Sequence, residues 1–170
     1  MKKITPLKRS KHLVVLSRDH HQGLLVVWKL RQGLANHVAA DTLLAFLRHE
    51  FRHHLEPHFQ IEENQLFGAL PADDALKLTA EAQHSQLRHL AREAGKIPEG
   101  GENIQENGYK LAEAFAMLLD DHIRFEERIL FPHLEKMLTE SQLEAIGAQL
   151  ESEHALTQEV PWQQPFWLRK

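Results

Sequence analysis

His58-Phe-Gln-Ile-Glu62-Glu63-Asn-Gln-Leu66-Phe67 and His122-Ile-Arg-Phe-Glu126-Glu127-Arg-Ile-Leu130-Phe131 align without a gap, 64 residues apart. Both read His-x3-Glu-Glu-x2-Leu-Phe, with five coincident positions, three of them ionisable. On a helix, residues i and i+4 lie on one face about one turn apart, so each copy projects an imidazole and a carboxylate into the same space. A lone His-x3-Glu is an ordinary surface pair, and His89-x3-Glu93 and His37-x3-Asp41 are read as that background. A repeated decapeptide flanked by Phe and Leu is read instead as two contributions to one metal site.

The same 64-residue step taken back from His84 lands on His20, while a one-residue adjustment pairs His21-Gln-Gly-Leu24 with His84-Ser-Gln-Leu87. The Leu-x2-Asp-His context favours His20 and the apolar spacing that follows favours His21. Adjacent helical residues point about 100° apart, so only one of the two can face a shared axis. The candidate ligands are therefore His20 or His21, His58, Glu62, His84, His122 and Glu126. His54, one turn before His58, is a further candidate as ligand or neighbour. Several ionisable groups buried in one core are costly unless they hold a cation. Nitrogen and oxygen donors without sulfur suit iron or manganese, and zinc also fits. Two carboxylates on facing helices can bridge two metals, with four histidines capping them two apiece. The ferritin-like arrangement needs Glu-x-x-His on two helices, and no such motif serves here.

Outward from the repeat, Gly and Pro divide the chain into helical segments. Hydrophobic periodicity predicts helices over about Ser17–Leu34 (Ser17 as N-cap), Asp41–Leu66 (Asp41 as N-cap), Asp73–Lys96 and Tyr109–Phe131. The stretch Ile97–Gly108 is expected to be the longest loop. Pro57 is expected to kink the second helix. A shorter fifth helix should start at Thr139, where Thr139 and Gln142 can form a capping box, and end before Pro161. These segments predict an all-α, up-down-up-down four-helix bundle with a short fifth helix and a C-terminal tail. The tail carries Trp162, Phe166 and Trp167 and is expected to pack over the bundle or to form an oligomer contact. One domain over residues 1–170 is expected, with a core at 12–138 and the last helix and tail at 139–170.

Composition bounds the function classes. The 170 residues are 42% hydrophobic and 26% charged, with a net charge of −4 and no cysteine, so thiolate zinc sites, iron–sulfur clusters and cysteine nucleophiles are excluded. A mildly acidic chain does not suit nucleic-acid or anionic-membrane binding, both of which need a positive field. Histidine is the outlier, at 13 residues. Met1–Lys11 is basic with no apolar region behind it and reads as an exposed arm, which makes the cytoplasm the expected location.

Together Leu16-Ser-Arg-Asp-His20-His21, His58-x3-Glu62-Glu63, His84, and His122-x3-Glu126-Glu127 with Leu130-Phe131-Pro132 resemble the hemerythrin-like family, the His-His-Glu cation-binding domain, over about Leu16–Pro132. The resemblance implies a left-handed four-helix bundle around two non-haem iron ions with an oxo or hydroxo bridge. Glu62 and Glu126 would bridge, the first-helix histidine and His58 would cap one iron, and His84 and His122 the other. Oxygen carriers of the family have a histidine where this chain has Arg88 and end in His-x4-Asp rather than His-x3-Glu, with Glu127 also within reach here. One terminal ligand is then missing or replaced by water. The remaining histidines (12, 37, 49, 53, 89, 133 and 154) are expected to be solvated or structural.

The expected function is binding or sensing of oxygen or nitric oxide, or a part in iron homeostasis. The alternatives are a di-iron oxidase or peroxidase and an iron donor in cluster repair. Against an enzyme, the sequence holds no phosphate loop, no Gly-x-Gly-x-x-Gly and no separate acid–base or nucleophile constellation. The lack of cysteine counts against the iron donor.

Overall fold

The computed structural model describes residues 9–168, and all regular elements among them are helical. Helix α1 spans Val14–Ala35. The second rod is composite: α2 (Ala40–Glu50), a π turn (Phe51–Leu55), α3 (Glu56–Ile61), a second π turn (Glu62–Leu66) and a 3-10 turn (Phe67–Ala69). Helix α4 is Ala75–Lys96. The fourth rod joins α5 (Ile104–Phe125), a π turn (Glu126–Leu130) and α6 (Phe131–Met137), and α7 covers Glu140–His154. Short connections between the rods enforce antiparallel neighbours, giving the expected bundle.

The boundaries differ from the periodicity in instructive ways. Ser17 and Asp41 are not N-caps: α1 starts three residues before Ser17, and Asp41 lies in the first turn of α2. Ser17 instead donates its hydroxyl to Glu127 Oε1 at 2.7 Å. Helix α5 starts at Ile104, so the loop is shorter than the Gly-rich sequence predicts. Gly108 is inside that helix for closeness, since a Cβ there would lie 2.7 Å from the Ala40 Cβ. At Pro57 the ladder is relieved by a π turn just upstream, where the Glu56 N–H reaches back five residues to the Phe51 carbonyl. Proline has no N–H to contribute, so it sits well in the first turn that follows such a shift. Pro132 occupies the same position after the third π turn.

Two apolar clusters fill the bundle. One gathers Val26, Val27, Leu30, Phe46, Leu87, Phe115 and Leu119 with their neighbours. The other gathers Leu13, Leu16, Leu66, Phe67, Ala80, Phe131 and Leu134, and α7 adds Ile146 and Leu150. Along every rod the candidate ligands fall between residues of the first cluster and residues of the second. The tail packs over the bundle, with Trp162, Phe166 and Trp167 placing their rings 5.6, 5.0 and 5.9 Å from that of Phe46. No helix among the described residues is long and apolar enough to cross a membrane.

Two caps fix helix starts. The Thr139–Gln142 capping box forms as expected. Asp74, one residue beyond the predicted Asp73, caps α4 by accepting from the Leu76 and Lys77 amides, both at 3.0 Å. It also accepts from His133 Nε2 at 2.7 Å. The Lys77 amide and His133 hold its carboxyl below the usual aspartate range. Because the folded value is the lower one, this support is full above about pH 4 and is lost as the pH falls through the folded value. Asp74→Ala is expected to cost about 1 kcal/mol at neutral pH, or roughly 2–4 °C in Tm. Thermal melts at pH 7 and pH 2.5 check this, the difference from the parent shrinking at the lower pH.

Candidate metal centre

All five repeated positions of the decapeptide have a use. His58 and His122 turn their Nε2 atoms inward beside Glu62 and Glu126, with Nε2–carboxylate distances of 3.2 and 3.4 Å within each copy. Glu63 and Glu127 do not join the centre. Instead, each accepts from the Nδ1 of a histidine on another helix: Glu63 from His84 at 2.8 Å and Glu127 from His20 at 2.7 Å. Leu66 and Leu130 are wholly buried in the second apolar cluster. Phe67 stacks on His84 and Phe131 on His20, at ring separations of 5.5 and 5.3 Å. Both copies start a π turn at the inward glutamate.

A pseudo-twofold relation with the 64-residue step therefore runs through the site. Asp19 accepts from His58 Nδ1 at 3.2 Å, and its counterpart Gln83 accepts from His122 Nδ1 at 2.9 Å. Every inward histidine thus has an acceptor oxygen at Nδ1, which makes that nitrogen the donor and leaves Nε2 facing the centre. Two arginines close the outer ring. Arg88 pairs with Glu56 and Glu63 at 2.8 and 2.7 Å. Arg9, with only 8% of its side chain exposed, pairs with Glu127 and Glu135 at 2.8 and 3.2 Å.

At the centre, His20, His58, Glu62 and Glu126 form one group of four converging donors, and Glu62, His84, His122 and Glu126 form another. The carboxylates belong to both. Glu62 turns Oε1 toward His20 and His58, at 3.4 and 3.2 Å, and Oε2 toward His84 at 3.3 Å. Glu126 Oε2 lies 3.0 Å from His20 Nε2. His84 Nε2 and His122 Nε2 face each other at 3.2 Å. Yet the Nε2 atoms of His20 and His58 and all four oxygens of Glu62 and Glu126 are buried without a hydrogen bond. Buried polar atoms are almost always satisfied, so convergent unsatisfied donors describe a cradle for cations.

The electrostatics agree. Burial, followed by the charge of Glu62, pushes Glu126 up to about 7. Burial works against a charged His58, but Glu62 and Asp19 carry it up to about 9. Burial likewise opposes Glu63, which hydrogen bonds from His84 and Arg88 bring down to about 2. In the absence of a metal the inner groups therefore compete for protons, which a metal ion must displace.

Three expectations are corrected. His21 is exposed on α1, turned away from its buried neighbour His20. His54 is outside both donor groups and donates Nδ1 to Glu50 at 2.5 Å. The π turn at Phe51–Leu55 breaks the four-residue register that would have stacked His54 over His58. Glu127 supports His20 rather than reaching inward. Asp19 enters the sequence reading only as context for His20, although Asp19 and Gln83 stand one repeat step apart, and Arg9 carries no signal of its own. Arg9 falls in the stretch expected to be an exposed arm but is largely buried; Met1–Lys8 lie outside the described residues. The background pair His89–Glu93 is on the surface with its nearest nitrogen and oxygen 4.0 Å apart, while His12 and His154 hydrogen-bond to Glu140 and Asp19.

Single alanine substitutions test the assignment within the first helix. His20→Ala is expected to remove at least half the bound metal, read by inductively coupled plasma mass spectrometry. His21→Ala is expected to leave metal content within error of the parent, and equal losses would contradict the geometry.

The model of the hemerythrin HHE cation-binding domain matches residues 12–134. No curated protein and no solved structure matches the chain significantly. The match reaches into all four bundle rods and includes every inward histidine and glutamate described above, so the chain belongs to the hemerythrin HHE cation-binding domain family.

Proposed function

We propose that the chain holds two non-haem iron ions and uses them to bind or sense oxygen or nitric oxide. His20 and His58 would cap one ion, His84 and His122 the other, and Glu62 and Glu126 would bridge them. The observation that carries this reading is the sharing of both carboxylates by the two four-donor groups, which one ion could not use in full. Sulfur-free nitrogen and oxygen donors favour iron, with zinc or manganese as the competing occupants. When bound, iron supplies a redox-active Lewis acid with coordination positions left over for a small ligand. The protein's own residues fix the imidazoles through Nδ1, exclude bulk water with the Phe67 and Phe131 rings, and hold the outer carboxylates with Arg9 and Arg88.

Arg88 takes the place of a ligand in the oxygen carriers this chain resembles, but its charge is engaged by Glu56 and Glu63. It therefore acts on the centre through Glu63 and His84. A di-iron oxidase or peroxidase is the second reading. It is favoured by a cavity of about 580 Å³ that reaches His20, His58 and His122, more room than a diatomic ligand uses.

Metal analysis of protein purified without chelator is expected to give about two ions per chain, and a single ion would overturn the dinuclear reading. Reduced, iron-loaded protein exposed to oxygen should develop visible charge-transfer bands. Their clean reversal on oxygen removal favours carriage, whereas multiple turnover with peroxide and an electron donor favours the enzyme.

Glu62→Gln and Glu126→Gln are expected to lower metal content and to reduce Tm of the loaded protein by roughly 5–10 °C, as loss of about 2.7 kcal/mol of ligand stabilisation implies. In metal-free protein Glu126→Gln should leave Tm unchanged or raise it, because burial and the charge of Glu62 already oppose that carboxylate. Glu62→Gln should instead lower it, since burial opposes an ionised Glu62 but His58, His20 and His84 outweigh it. Glu93→Gln and Asp41→Asn should do neither. Differential scanning calorimetry with and without metal separates these outcomes.

A further inference from the structure

The 580 Å³ cavity runs from the His20 and His58 edge of the centre to the C-terminal tail, where Trp162 and Trp167 form part of its outer wall. Small-molecule sites typically have volumes of about 300–1,000 Å³, whereas a water molecule takes only about 30 Å³. The cavity thus suits an organic molecule rather than a gas alone. Its walls carry Asp19, Glu50, Glu159, Lys29 and five histidines; Asp19 is engaged by His58 and His154, which leaves Glu50 and Glu159 as the acidic groups facing Lys29. The Lys29 ammonium is held over the Trp167 ring, 4.2 Å from its centroid.

Glu50 is the telling residue. It is only 5% exposed, lines the cavity, and has His54 as its single hydrogen-bonding partner among the described residues. Its second oxygen accepts from no side chain or backbone amide there. Unlike the oxygens of Glu62 and Glu126, that oxygen is not sealed from solvent: it opens on the cavity, where an entering cation or donor can meet it. The indole rings nearby provide both apolar surface and faces that attract cations.

From this we propose that the cavity binds a small organic cation, a protonated amine on an aromatic or aliphatic body, with the ammonium on Glu50 and the body against Trp162 and Trp167. The assignment goes beyond the metal reading and uses none of the inward donors. His54 belongs to this site, orienting Glu50 from the adjacent turn of the same rod.

Isothermal titration calorimetry with phenethylamine, 2-phenylethanol and phenylacetate tests the proposal on metal-loaded and metal-free protein. These probes share a body and differ in charge. One phenethylamine per chain is expected, at least tenfold tighter than the alcohol, with no saturable binding of phenylacetate. Glu50→Gln should weaken the amine at least tenfold, and Trp162→Leu, out in the tail, several-fold. Equal affinity for amine and alcohol overturns the proposal, and that comparison needs no variant. So does unchanged amine binding by folded Glu50→Gln, or no amine binding at millimolar concentration. Protein that keeps its metal but ignores the amine defeats this inference alone. Amine binding by protein that takes up no metal defeats only the di-iron reading.

Discussion

Two carboxylates and four imidazoles lie in one layer of the bundle, closed above and below by apolar side chains, and neither carboxylate makes a hydrogen bond. Removing an ion from water costs several kcal/mol even after relaxation, so this layer opposes folding unless the charges answer one another. Imidazoles alone answer them partly, by competing for protons with Glu62 and Glu126. A pair of shared cations, as proposed above, would answer them fully, because each oxygen and each Nε2 would then have a partner. The remaining architecture serves that layer. Two separate apolar clusters, instead of one continuous core, are the consequence of setting six polar groups across the middle of the four rods.

Around the layer, the pseudo-twofold relation is close but broken in places that matter. Glu63 and Glu127 play equivalent parts, as do Phe67 and Phe131. Asp19 and Gln83 do not, because a carboxylate behind His58 makes its imidazole a more basic ligand than an amide can make His122. Asp19 is also tied to α7 through His154 Nε2 at 2.9 Å, a link the other half lacks. The outer arginines come from unrelated places, Arg9 ahead of α1 and Arg88 within α4. The cavity breaks the symmetry further, since it touches His20 and His58 together but, of the other pair, only His122. The two halves of the centre are thus alike in donors and unlike in support and access.

The π turns are the local device that joins sequence to site. Each inward glutamate opens one, so the backbone leaves strict helical spacing where the carboxylate must turn in. The outward glutamate that follows is then placed to reach across to a histidine on another rod. A third π turn, ahead of Pro57, moves His54 off the inner face and delivers it to Glu50. The same distortion thus separates His58, which faces the centre, from His54, four residues earlier, which serves Glu50.

The bundle, its repeat and its inward donors were legible in the linear chain because they rest on short-range rules. Hydrophobic spacing marks helices, four-residue spacing puts His58 with Glu62 and His122 with Glu126, and a constant 64-residue step picks out His20 and His84. Thr139 and Gln142 likewise announce their helix start locally. Other features depend on neighbours far along the chain. Gly108 reads as a loop until Ala40 is seen against it, and Arg9 reads as a solvated arm until Glu127 and Glu135 surround it. Whether Glu127 is a ligand or a support, whether His54 faces metal or cavity, and what the aromatic tail covers were all decided by tertiary packing. Sequence spacing fixes which residues share a helical face, but a π turn changes that face and only the assembled rods determine what stands opposite it.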